Sequence, residues 1–128
     1  LRGFGACMEI VGEWRNQNGS ILHVTEQDGP HFGGTFVSEK GRAAKGNAYP
    51  VRGVVNGEVV AFSVSFETEV DNLCSITNFT GRLARDQEGD VIHTVWVLAR
   101  QFEDAARTKP TQPWNPFLTN SDVFRRIG

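Results

Sequence analysis

The sequence predicts an all-β protein, an eight-stranded antiparallel up-and-down β-barrel. Three observations carry that expectation. Residues 57–66, 73–81 and 91–99 are consecutive runs that alternate with period two, and on a strand successive side chains point to opposite faces. Turn signals separate the short apolar runs, at Asn18-Gly19, Asp28-Gly29-Pro30 and Asn56-Gly57, where glycine or asparagine supplies the backbone a tight hairpin needs. About eight such runs follow one another along the chain, the number that closes a small barrel around one ligand.

Taken in order, residues 1–9 show no period and are expected to be a loosely ordered lead-in to a single domain spanning 1–128. Residues 10–16 alternate about Trp14, which puts Trp14 and Asn16 on one face. Asn18-Gly19 turns the chain into a strand over 20–25, and after Asp28-Gly29-Pro30 the run 32–38 puts Gly34, Phe36 and Ser38 on one face. Residues 39–48, with Lys40, Arg42 and Lys45, are long for a hairpin loop; loops of this length often serve as lids or binding loops. Residues 49–55 form a strand, with Pro50 near its start where a missing donor is tolerated. Asn56-Gly57 is the clearest hairpin signal and predicts a type I′ turn. Residues 67–72 and 86–89 connect the next strands. Residues 101–111 alone have helical character. Pro110, Pro113 and Pro116 then bracket Trp114 before a last strand over 118–126.

Composition excludes several function classes. A chain of 128 residues with thirteen basic and fifteen acidic side chains carries a net charge of −2. That balance gives no reason to expect a nucleic-acid or anionic-membrane partner. No apolar run approaches the ~20 residues that cross a bilayer as a helix. Cys7 and Cys74 do not make a disulfide framework at this length. No His/Cys/Asp spacing suggests a metal site, and no nucleophile, base and orienting group stand together, so neither a metal, a cofactor nor an enzymatic activity is expected.

One face of the predicted barrel mixes large aromatics with small hydroxyls. Phe62, Val64 and Phe66, then Ser75, Thr77 and Phe79, then Thr94, Trp96 and Leu98 share that face. Adding the other strands brings Trp14, Asn16, Ser20, Leu22, Phe36, Ser38 and Asp122 to it. A packing core has little use for such hydroxyls, because an unpaired buried one costs ~1–3 kcal/mol. Aromatic walls with a few placed polar groups suit a small-ligand cavity.

The segments 12–20, 34–38, 61–66, 75–81, 94–98 and 114–124 together resemble the avidin/streptavidin family of biotin-binding barrels. The resemblance implies a non-catalytic, secreted or periplasmic protein that sequesters biotin. It implies that Asn16 and Ser20 donate to the ureido oxygen, and that Ser38 and Asp122 take the two ureido N–H groups. Thr77 would lie near the thioether sulfur. Ser75 and the 39–48 loop would hold the valerate carboxylate, and Phe66, Phe79, Trp96 and Leu98 would wall the ring. Trp114 would reach over a neighbouring subunit's pocket. Two positions depart from the family's pattern: Phe36 stands where a tyrosine is usual, removing a third donor to the ureido oxygen, and Phe66 replaces a tryptophan. No bond between Cys7 and Cys74 is expected, since the two would lie at opposite ends of the barrel.

Two other readings remain at this stage: a different small-ligand barrel of the lipocalin kind, and an avidin-like interaction module whose pocket has decayed. Val95, Val97 and Ala99 fall on the outward parity of their strand, as do Ile76 and Val54 on theirs. A barrel has one interior, so these residues point to a second buried surface. A homotetramer is the expected assembly, because Trp114 would complete a neighbour's pocket; a dimer is the alternative.

Overall fold

The computed structural model describes residues 8–39 and 46–128. They form eight strands: β1 (Gly12–Asn16), β2 (Ile21–Asp28), β3 (His31–Val37), β4 (Ala48–Asn56), β5 (Val59–Glu67), β6 (Asn72–Asp86), β7 (Gly89–Arg100) and β8 (Phe117–Arg126). Each pairs antiparallel with its neighbours, and β8 returns to β1 to close the barrel. Closure leaves no free sheet edge.

Alternation sets the interior. On β5 the buried residues are Val60, Phe62, Val64 and Phe66, each followed by a more exposed one. Phe62 and Phe79 stack with centroids 4.6 Å apart, and Phe124 meets both edge-on at 5.9 and 5.6 Å. Their register brings them together: Phe62 lies opposite Phe79, and Phe79 opposite Trp96. The sheet bends between Val24 and Glu26, where the β2–β3 register shifts. Gly34 sits at that bend, and a Cβ there would come within 1.8 Å of the His23 carbonyl oxygen, so a side chain is excluded. Trp14 plugs the far end, its indole N–H donating to the Ile10 carbonyl at 3.0 Å and Arg126 stacked 4.3 Å from its ring.

Two local expectations are corrected. The Asn56-Gly57 hairpin pairs Asn56 with Val59, so the central residues are Gly57 and Glu58. Only Gly57 has a positive φ, +59°, which is the type II′ pattern rather than type I′. Residues 101–111 are not helical. Arg107 is left-handed at φ 63°, Glu103 N–H donates to the Thr108 carbonyl at 2.8 Å, and Asp104 Oδ1 accepts from Thr108 N–H at 3.1 Å. Those bonds close a compact turn instead. Met8 packs against the core, its carbonyl accepting from Gln27 Nε2 at 2.8 Å. Residues 1–7, with Cys7, and residues 40–45, with Lys40, Arg42 and Lys45, lie outside the described residues.

Candidate functional site

In an antiparallel barrel the ends of the odd strands and the starts of the even ones share one rim. Asn16 ends β1, Phe66 lies near the end of β5, and Trp96 and Leu98 lie in the second half of β7. Ser20 precedes β2, Thr77 lies in the first half of β6 and Asp122 lies at the middle of β8. These side chains, with Phe36, Ser38 and Phe79, line one cavity of about 550 Å³. Two predicted site residues are elsewhere. Ser75 lies on the rim in an adjoining groove with Cys74. Trp114 is 79% exposed and touches Phe117, with ring centroids 6.4 Å apart; it does not line the cavity of its own barrel.

The polar end of the cavity is wired by the turn between β1 and β2. Asn16 Oδ1 accepts from the backbone N–H of Asn18 at 3.0 Å and of Ser20 at 2.9 Å. Those two bonds orient the amide so that Nδ2 faces Asp122, donating to Oδ2 at 3.1 Å. Gln17 Nε2 donates to Asp122 Oδ1 at 2.8 Å, while Gln17 Oε1 accepts from Val123 N–H at 2.9 Å. Thr94 Oγ1 donates to the Asp122 carbonyl at 2.9 Å. Both oxygens of the Asp122 carboxylate, 8% exposed as a residue, are therefore held in place with lone pairs to spare.

The hydroxyls follow the same logic. Ser20 Oγ accepts from Glu39 N–H at 2.8 Å, which leaves its own proton to donate into the cavity. Ser38 and Thr77 are buried beside it. The indole N–H of Trp96 is buried and has no acceptor among the described residues. Opposite the polar end, Phe66, Phe79, Trp96, Leu98 and Leu118 form the apolar wall. Two donors, from Asn16 and Ser20, thus stand beside a fixed anionic acceptor in a mostly apolar chamber. A planar group with a carbonyl flanked by N–H groups complements that arrangement.

The profile of the Avidin family matches residues 4–127. This chain belongs to the avidin family. Among avidin-family relatives, afifavidin of Afifella pfennigii is 29% identical over 93 residues. That match covers 72% of this chain and 58% of the relative, so the chain spans under two thirds of that protein's length. The rhizavidin–biotin complex is 26% identical with a TM-score of 0.78, covering 94% of this chain and 98% of that one. Apo shwanavidin, at 24% identity and a TM-score of 0.79, covers 94% of this chain and all of its own and shares the fold. Within this avidin-family barrel, Cys74 has no disulfide partner among the described residues and stands at φ 52°.

Sequence reasoning missed several residues at the site. Arg100 and Leu118 lie on the inward parity of the residues already assigned, so the signal was present. Gln17 lies past the end of β1, where alternation no longer applies. Glu103, Asp104 and Ala105 come from the 101–111 turn, whose position over the cavity no local pattern announces.

Proposed function

We propose that this protein is a non-catalytic biotin binder that holds the ureido ring at the polar end of the barrel. One observation carries the reading: Asn16 and Ser20 offer donors beside the fixed Asp122 carboxylate. The ureido oxygen accepts from Asn16 Nδ2–H and the Ser20 hydroxyl, and one ureido N–H donates to Asp122. Ser38 takes the other N–H. Thr77 lies by the thioether sulfur, and Phe66, Phe79, Trp96 and Leu98 enclose the apolar part. Away from bulk water each of these bonds is stronger. A fatty-acid or lipocalin-type ligand is disfavoured by the same feature, since it would leave these buried polar groups unmatched.

Binding is weaker than in the family's tightest members, whose affinity lies at the ceiling for non-covalent complexes. Phe36 is buried between Phe79 and Phe124, with centroids at 6.0 and 6.5 Å, and offers no hydroxyl. The lost donor costs ~1–3 kcal/mol and the smaller Phe66 about 1 kcal/mol. The sum of ~2–4 kcal/mol corresponds to about 30- to 1,000-fold. Titration with a biotin–fluorophore conjugate, with free biotin as competitor, tests the reading. Saturable binding reversed by biotin is expected; no binding at millimolar biotin refutes it.

The same reading includes a homotetramer, with a dimer as the alternative. Val54, Ile76, Val95 and Val97 are all exposed on the outer face, and Phe117 is exposed beside Trp114. An apolar surface of this extent favours self-association. Trp114 then completes the pocket of a neighbouring copy.

A further inference from the structure

Arg100 ends β7 and lines both the barrel cavity and the groove beside it. No other described residue is shared by the two linings. We propose that Arg100 receives the carboxylate of the bound ligand and gives the protein a preference for the free acid over its amide. This rests on the biotin reading above and adds the residue that reads the ligand's outer end.

The order of residues along β7 sets the geometry. Thr94 pairs with Asp122 at the polar end, and the inward positions Trp96, Leu98 and Arg100 follow toward the rim. A ligand with its ring at Asp122 and its chain running out past Leu98 meets Arg100 at the opening. Across the strand pair, Ser75 stands directly opposite Arg100 and adds a hydroxyl on the groove side.

The chemistry of Arg100 fits an anion. A guanidinium has five N–H donors. Here Nη1 donates to the Glu103 carbonyl at 3.1 Å and Nη2 to the Asn115 carbonyl at 3.0 Å. The buried Nε–H has no acceptor among the described residues. Both acceptors are neutral, and among the described residues Arg100 makes no ion pair. Glu103 and Asp104 share the rim but are held elsewhere. Glu103 Oε1 accepts from Asn115 Nδ2 at 2.7 Å, and Asp104 Oδ1 from Thr108 N–H at 3.1 Å. The two carbonyl bonds also fix the planar fork in advance, so little side-chain freedom is lost when a carboxylate docks.

Calorimetric titration of biotin and biotinamide against the full chain tests this. The wild-type protein should bind biotin about 10- to 100-fold more tightly than biotinamide. In Arg100→Leu that preference should collapse while the biotinamide Kd stays within a few-fold, and Arg100→Lys should fall between. Equal wild-type affinities, a preference that survives in Arg100→Leu, or an equal loss for both ligands would each overturn the assignment. If Arg100→Leu does not fold, the wild-type and Arg100→Lys comparisons decide. If biotinamide and biotin both fail to bind the wild type, the biotin reading itself falls, and this assignment with it.

Discussion

Replacing Asp122 by alanine separates the cost to binding from the cost to folding. The carboxylate holds Asn16 Nδ2 at 3.1 Å and Gln17 Nε2 at 2.8 Å, and in the proposed complex it also accepts a ligand N–H. Removing a charged acceptor from that N–H costs ~1.5–3 kcal/mol, or about 10- to 150-fold in Kd. The folding cost is smaller than two broken hydrogen bonds suggest. Gln17 is exposed, so its amide returns to water. Asn16 is buried, but it faces the cavity, where water can replace the lost acceptor. The Thr94 bond goes to the Asp122 backbone carbonyl and survives the substitution. One partly satisfied amide sets a ceiling of ~1–3 kcal/mol on destabilisation. Biotin calorimetry gives the first quantity and urea unfolding of the unliganded variant the second. A folded Asp122→Ala protein that binds biotin within twofold of wild type would refute the placement of Asp122 against the ligand.

Phe36→Tyr should tighten biotin binding, because it restores a donor beside Asn16 and Ser20 at a cavity-lining position; calorimetry that finds no gain would show that the ureido oxygen lies elsewhere. Light scattering at micromolar protein should report an oligomer, and Trp114→Ala should weaken assembly and biotin affinity together; loss of neither would confine Trp114 to its own chain. Acid should reveal the Asp86–Arg125 pair. The hydrogen bonds from Arg125, then from Glu88 N–H, hold the Asp86 carboxyl below its ordinary value. Its stabilising contribution is therefore full above the unfolded carboxylate range of ~3.9 and is lost as pH falls through the lower folded value. Urea midpoints of wild type and Asp86→Asn should differ at neutral pH and converge in strong acid, and a gap independent of pH would rule out this linkage.

The barrel was legible because alternation is a local property. Each residue's face on a strand follows from its neighbours' parity, so Phe62, Val64, Phe79 and Thr77 could be placed inside before any pairing was known. Asn16, Ser20 and Asp122 were legible as a set through the family resemblance, since one carboxylate and one amide at the ends of distant strands carry no periodic signal. Turn chemistry was half legible: glycine marked where φ would be positive, but the register chose Gly57-Glu58 over Asn56-Gly57 as the turn centre.

What the sequence alone determined about this protein is the alternation that makes a closed all-β barrel with a mixed aromatic and hydroxyl interior. Only the tertiary structure decided which side chains meet at its mouth. Ser75 shares the parity of Thr77, yet the register shift between Ser65 and Glu67 and the left-handed Cys74 displace the start of β6. Ser75 therefore lies at the rim rather than within the cavity. Glu103 and Asp104 border the cavity because residues 101–108 fold back on themselves, tied to β6 by the Gln101 N–H bond to the Cys74 carbonyl at 2.9 Å and by Arg107 Nη2 to the Asn72 carbonyl at 3.0 Å. Those bonds join residues far apart in sequence, and no period-two pattern encodes a contact that depends on where the barrel closes.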